Sequence, residues 1–120
     1  MFQARIKSAF FVEGLIKHMN SQGFPSFLEK KGFEDCGIFY IKVMLPENKA
    51  RLFSRRENFE TNKLEWFSPL HEMQETLDYS EINAYTNRMK ERDRDCWIIE
   101  IEDPKDKLGT PNKSDYWLIL

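Results

Sequence analysis

Glycine is scarce in this chain, with five in 120 residues. A phosphate-cradling loop therefore has little raw material, and no G-x-S-x-G, P-loop or dinucleotide fingerprint occurs. No run of about 18 uncharged apolar residues exists, which excludes a membrane-spanning helix. The two cysteines, Cys36 and Cys96, are too few for a disulfide framework. Both sit in apolar surroundings, as expected of buried, unreactive thiols. The opening residues show no charged, apolar and cleavage regions in sequence, because Arg5 and Lys7 interleave with Phe2, Ile6 and Phe10. A cytoplasmic chain with reduced thiols is the expectation. Histidine is as rare as cysteine: His18, Cys36, His71 and Cys96 stand 18, 35 and 25 residues apart. A zinc site needs convergent ligands with at least one close pair, so no metal centre and no cofactor are expected.

A strong basic excess is missing too. Eighteen Lys and Arg oppose twenty Asp and Glu, for a net charge of −2 and a pI near 5.7. The charge is uneven along the chain, about +5 over residues 1–56 and about −7 over residues 57–120. What the chain has in abundance is aromatic surface: ten Phe, four Tyr and three Trp. A chain this apolar packs rather than staying disordered.

Periodicity places a helix over residues 4–21, with Phe11, Val12, Leu15, Ile16 and Met19 in one arc and Gly23 as its stop. Ile6 and Phe10 fall on its polar side and need cover from elsewhere. A short strand follows at 24–31, with Pro25 suiting an edge. Residues 38–45 alternate apolar side chains on both faces, as a central strand does. Pro46-Glu47-Asn48 turns the chain into a partner at 49–56, and a further strand lies near 63–68. Ser68-Pro69 is placed to open a short helix. Asp78-x-x-Glu81 reads as a capping box for a helix over 79–92, with Ile82, Tyr85 and Met89 facing inward. The last strand, 96–102, points Trp97, Ile99 and Ile101 one way and Ile98, Glu100 and Glu102 the other.

Three local patterns stand out within this order. The first is Leu15-Ile16-Lys17-His18 with Gly23 beyond. The second is Lys31-Gly32-Phe33-Glu34-Asp35-Cys36-Gly37-Ile38 running to Lys42, then Ala50-Arg51-Leu52. The third is Ile82-x-x-Tyr85, then Arg88, Arg92, Asp93, Asp95 and Trp97-Ile98-Ile99-Glu100-Ile101-Glu102-Asp103. Together they resemble the short alphaproteobacterial proteins grouped as domain of unknown function 1491. The resemblance runs over residues 4–103 and implies a bacterial cytosolic protein with no established activity and no catalytic residue to carry over.

The expected fold is α+β: an antiparallel meander sheet of four to five strands with two helices packed on one face, in the order helix, strands, helix, strand. Residues 1–103 form the single domain. Residues 104–120 form a polar linker and an apolar C-terminal segment. The expected function is a non-enzymatic interaction module that self-associates, as a homo-oligomer or with another protein and without a membrane. Phe10 and Tyr116, Trp117, Leu118, Ile119 and Leu120 are the interface candidates, because a lone domain of this size struggles to bury so much apolar surface. Two alternatives rest on other residues. Lys42, Arg51, Arg55 and Arg56, with Phe53 among them, could form a basic sheet face for single-stranded nucleic acid. Glu100 and Glu102, about 7 Å apart on one strand face, could hold a divalent metal for catalysis.

Overall fold

The computed structural model describes residues 8–35, 37–111 and 113–117. Helix α1 (Ser8–Ser21) leads into strands β1 (Ser26–Lys30), β2 (Phe39–Met44), β3 (Lys49–Asn58), β4 (Lys63–Phe67) and β5 (Leu77–Asp78). Helix α2 (Tyr79–Arg92) and strand β6 (Trp97–Glu102) complete an α+β domain. The sheet order is β1-β6-β2-β3-β4, with β5 paired to β3.

Phe11, Val12, Leu15 and Met19 are buried along α1, as the helical period requires. The helix closes in a Schellman motif. Gly23 adopts φ +92°, its N–H donates to the Asn20 carbonyl, and the Phe24 N–H donates back to the Met19 carbonyl at 2.9 Å. In α2, Asp78 occupies the N-cap position without a side-chain cap bond. Its carboxylate instead pairs with Lys49 at 2.7 Å across the β3–β5 contact, so the expected capping box is not formed. Nor does Ser68-Pro69 open a helix. The Ser68 hydroxyl accepts from the Leu70 and His71 N–H groups in a turn.

Two features of the sheet correct the simple meander. β6 enters between β1 and β2, antiparallel to the first and parallel to the second. Both β2 and β6 carry apolar side chains on both faces, so each is most stable with a strand on either side. The second correction concerns the helices. They cover opposite faces rather than one. Ile41, Val43, Phe53, Trp97, Ile99 and Ile101 pack with α1, whereas Tyr40, Leu52 and Ile98 pack with Ile82 of α2. Tyr85 and Met89 pack around that second cluster as the spacing predicts.

The segment after β6 joins the α1 core. Buried Asp103 accepts from the Lys107 and Leu108 N–H groups at 2.8 and 2.9 Å, bending the chain so that Leu108 turns inward. Trp117 follows it and meets Trp66 and Phe53 edge-on.

Both sides of the sheet are finished by side chains. At edge strand β1, the Asn20 amide accepts from the Ser26 N–H at 3.0 Å and donates to the Ser26 carbonyl at 3.1 Å. It imitates a neighbouring strand and blocks that position, with Pro25 before it and a bulge after Leu28. Along β3, β5 pairs with Lys49 and Ala50 and β4 with Ser54 onward, leaving a gap. His71 Nε2 fills it by accepting the Leu52 N–H at 2.9 Å, while its Nδ1–H donates to the Glu72 carbonyl. Those two bonds select the neutral ring. Burial pushes its pKa down, and the Arg51 charge adds to this against the opposing Glu72 carbonyl and Glu75 carboxylate.

Two outcomes are expected. Asn20→Ala removes both edge bonds, so urea denaturation should report a loss of about 1–2 kcal/mol. It should also produce concentration-dependent aggregation from the opened edge. Because the folded pKa of His71 lies below its ordinary 6.5, its contribution is complete above pH 6.5 and is lost as pH falls through the folded value. His71→Phe should therefore lower stability at neutral pH, where it strands the Leu52 N–H. It should also flatten the decline in denaturation midpoint between about pH 7.5 and pH 5.

Candidate functional site

The most unusual chemistry in the fold is a lysine inside the sheet. Lys42, at the middle of β2, is 1% exposed. Its register partner on β6 is Glu100. On β1, Glu29 follows Phe27, the register partner of Glu100, by two residues and so shares the α2 face, and the bulge between Leu28 and Lys30 sets Lys30 opposite Ile98. The Lys42 ammonium lies 2.5 Å from Glu29 Oε1 and 3.6 Å from Glu100 Oε1. It also donates to Asn83 Oδ1 at 3.2 Å. Tyr79 offers its ring face at 5.5 Å, and Lys90 closes on the second Glu29 oxygen at 2.7 Å. Tyr79, Asn83, Thr86 and Lys90 follow helical spacing, so α2 lays a polar stripe over Lys42 beside its apolar stripe over Ile98 and Leu52. Lys30 anchors the same end by donating to the Lys31, Arg94 and Cys96 carbonyls.

The two carboxylates are driven apart. Burial raises the pKa of Glu29, but hydrogen bonds from Lys42 and Lys90 outweigh it and the net shift is downward. Burial also raises Glu100, the Lys42 charge only partly offsets it, and the nearby Glu29 charge pushes the same way as burial. Glu29 is thus the firm anion of the cluster, and Glu100 is the group that protonates first on acidification. Three acceptors surround an ammonium that has three N–H donors. The cluster spends its hydrogen bonds on holding α2, β1, β2 and β6 together.

The other predicted residues are dispersed. Lys42 does not join a basic face with the arginines, because it points to the α2 side while Arg51 and Arg55 point to the α1 side. Arg51 donates to the Gln74 and Glu75 carbonyls and lies 3.6 Å from Asp106. Arg56 pairs with Glu65 at 3.0 Å and covers Phe67. Arg55 lies over the Phe11 ring at 4.3 Å and the Trp66 ring at 5.3 Å. Glu102 is exposed beside Glu100. Among the described residues, no group of three or more His, Cys, Asp and Glu side chains is arranged to hold a metal ion.

Of the interface candidates, Phe10 is 63% exposed and Tyr116 sits at the surface against Phe24. Trp117 is corrected: at 3% exposure it belongs to the core of its own chain. Leu118, Ile119 and Leu120 lie outside the described residues, as does Cys36. Cys96 is buried, and burial pushes its thiol pKa up. An open cleft of about 550 Å³ is lined by His18, Gln22, Ser114, Asp115 and Tyr116. There His18 Nε2 already bonds the Tyr116 carbonyl at 2.7 Å. Glu29, Asn83 and Lys90 have no local signature. The one usable signal is the 79, 83, 86, 90 spacing of polar and aromatic residues on α2, opposite a lysine in an otherwise apolar strand.

The opposed shifts predict unequal substitutions. Glu29→Gln should cost about 1–3 kcal/mol in urea denaturation at neutral pH, because it removes the anion shared by two ammonium groups. Glu100→Gln should cost less than about 1 kcal/mol, since the amide keeps an acceptor and sheds a charge that burial disfavours. Equal losses would contradict this division of roles.

The comparisons agree with this architecture. The family described as "Protein of unknown function (DUF1491)" matches residues 6–108. The crystal structure of a DUF1491 family protein from Caulobacter crescentus CB15 is similar at 27% identity and a TM-score of 0.72, covering 82% of this chain and 89% of that one. The solution structure of protein Atu0922 from A. tumefaciens is similar at 26% identity and a TM-score of 0.69, with 89% and 92% covered. An NMR structure of a DUF1491 family protein from the same Caulobacter strain gives 26% and 0.71, with 86% and 90% covered. Among curated proteins, none matches this chain. With the family match spanning residues 6–108 and the fold shared by these structures, the chain belongs to the DUF1491 family.

Proposed function

We propose that this chain is a small non-enzymatic interaction module of the bacterial cytosol that self-associates through the end of the molecule where α1 begins. The observation that carries the reading is a fixed loop that holds apolar side chains outward. Phe33 and Ile38, in the segment before β2, are tied to the start of β6. The Phe33 N–H donates to the Asp95 carbonyl, the Trp97 indole N–H donates to the Phe33 carbonyl at 2.9 Å, and the Trp97 N–H donates to the Ile38 carbonyl at 2.8 Å. Gly32 and Gly37 let the loop lie directly on the Asp95 carbonyl, where a Cβ would collide. The start of α1 joins it through the Ala9 N–H to the Glu34 carbonyl and the Ser8 hydroxyl to the Gly37 carbonyl.

Despite this anchoring, Phe33 is 48% exposed and Ile38 51% exposed, and Phe10, which follows Ala9 on the helix tied to this loop, is exposed as well. Large apolar side chains held outward by a rigid backbone lose little entropy when a second copy covers them. The blocked β1 edge favours this packing of side chains over strand pairing. Sedimentation velocity from micromolar to high micromolar concentration should show a reversible dimer. Phe10→Ser with Ile38→Ser should leave a monomer with an unchanged circular dichroism spectrum and melting temperature. A monomeric parent over the whole range, or a double variant that still dimerises, would overturn the reading.

A further inference from the structure

Arg55 is the cation whose surroundings do not account for it. Its guanidinium is half-buried between two rings, 4.3 Å from the Phe11 centroid and 5.3 Å from that of Trp66. The other cations predicted on this sheet are satisfied: Lys42 by Glu29, Arg51 by two carbonyls and Asp106, and Arg56 by Glu65. Among the described side chains, none offers the Arg55 fork a carboxylate or a carbonyl. The rings beneath are themselves fixed. Phe11 stacks on Phe39 at 4.7 Å, and Trp66 abuts Trp117 at 5.3 Å.

We infer that Arg55, with Phe11 and Trp66 as its walls, is a recognition site for a carboxylate side chain presented by an apolar peptide segment of a partner protein. An arginine seated on aromatic faces keeps its fork in one plane, and a carboxylate meets that fork with two parallel N–H···O bonds. Partial burial strengthens such a pair relative to open water. The charge count favours a carboxylate over a phosphate. Arg51 and Arg56 are engaged elsewhere, so among the described cations of this face Arg55 alone is left for a ligand, and a single positive charge balances a monoanion and leaves a dianion under-neutralised.

The flank is apolar on its β4 side, while the register sets Glu57 of β3 opposite Leu64. Trp66 is the register partner of Arg55, and Leu64, on the same face two residues along β4, is its diagonal neighbour and 61% exposed. An acidic residue between aliphatic neighbours fits this surface. Arginine and tryptophan at the centre of an apolar rim are also the residue types that dominate binding energy at protein interfaces. The site does not use Phe10, Phe33 or Ile38, so it stands or falls independently of self-association through that end.

The test is a nitrogen–proton NMR titration of the full chain with acetyl-Leu-Glu-Leu-amide, with acetyl-Leu-Gln-Leu-amide and inorganic phosphate as comparators. The expected result is saturable movement of the Arg55 Nε–H and Trp66 indole N–H signals by the Glu peptide, with binding by the Gln peptide and phosphate weaker by about tenfold or more. Arg55→Gln should abolish the response, and Arg55→Lys should weaken it by about tenfold, because the ammonium lacks the fork. Leu64→Asp, at an exposed position that leaves the core untouched, should suppress binding by placing a carboxylate beside the site. The inference is overturned by unmoved signals at millimolar Glu peptide, by equal responses to the Glu and Gln peptides, by tighter binding of phosphate, or by a folded Arg55→Gln or Leu64→Asp protein that binds as the parent does.

Discussion

An ammonium group cannot enter a protein interior without acceptors for its protons, and Lys42 enters at the centre of the sheet. The acceptors come from three other elements: Glu29 from β1, Glu100 from β6 and Asn83 from α2. A misplaced β1, β6 or α2 would leave a buried charge uncompensated, a larger penalty than the loss of an ordinary contact. The β1–β6 register belongs to the same constraint, since pairing Phe27 with Glu100 sets Glu29 on the face where Lys42 waits. One side chain thereby ties the β1–β6 register, the parallel β2–β6 pairing and the seating of α2 to each other.

The opposite face is built on different physics. α1 contributes aliphatic side chains and Phe11, and the aromatic residues Phe39, Phe53, Trp66, Trp97 and Trp117 fill the space between the helix and the two-directional sheet. The chain after β6 finishes this layer, because the Asp103 carboxylate gathers the N–H groups that turn Leu108 inward. The result is a two-faced sheet with a dry aromatic layer under α1 and a mixed apolar and ionic layer under α2. Among the described residues the ionic layer is closed on itself, and the unspent chemistry lies outside it: apolar side chains at the start of α1, and a guanidinium resting on two rings.

The relation to the DUF1491 structures is one of fold. Identities near 27% accompany TM-scores near 0.7, so the backbone path is shared while most side chains differ. Function has to be argued from the sites this chain builds on that path rather than from the path itself.

Much of the secondary structure was legible in the order of residues alone. The buried arc of α1, the stop at Gly23, the span 79–92 and the strands near 26, 39, 49, 63 and 97 all follow from apolar period and turn chemistry, which are local. The central place of β2 was legible too, because both of its faces are apolar. What only the tertiary structure decided is which strand lies beside β2, on which side each helix lies, and which partner each charge finds. Period cannot choose between two apolar faces, so the opposite placement of α1 and α2 required the fold. Capping at Asp78 gave way to Lys49, a residue 29 positions away, because strand pairing had already brought that ammonium alongside. Lys42 reads as basic surface in one dimension and becomes a buried hub in three. A charge is defined by its neighbours in space, and the neighbours of Lys42 come from β1, β6 and α2.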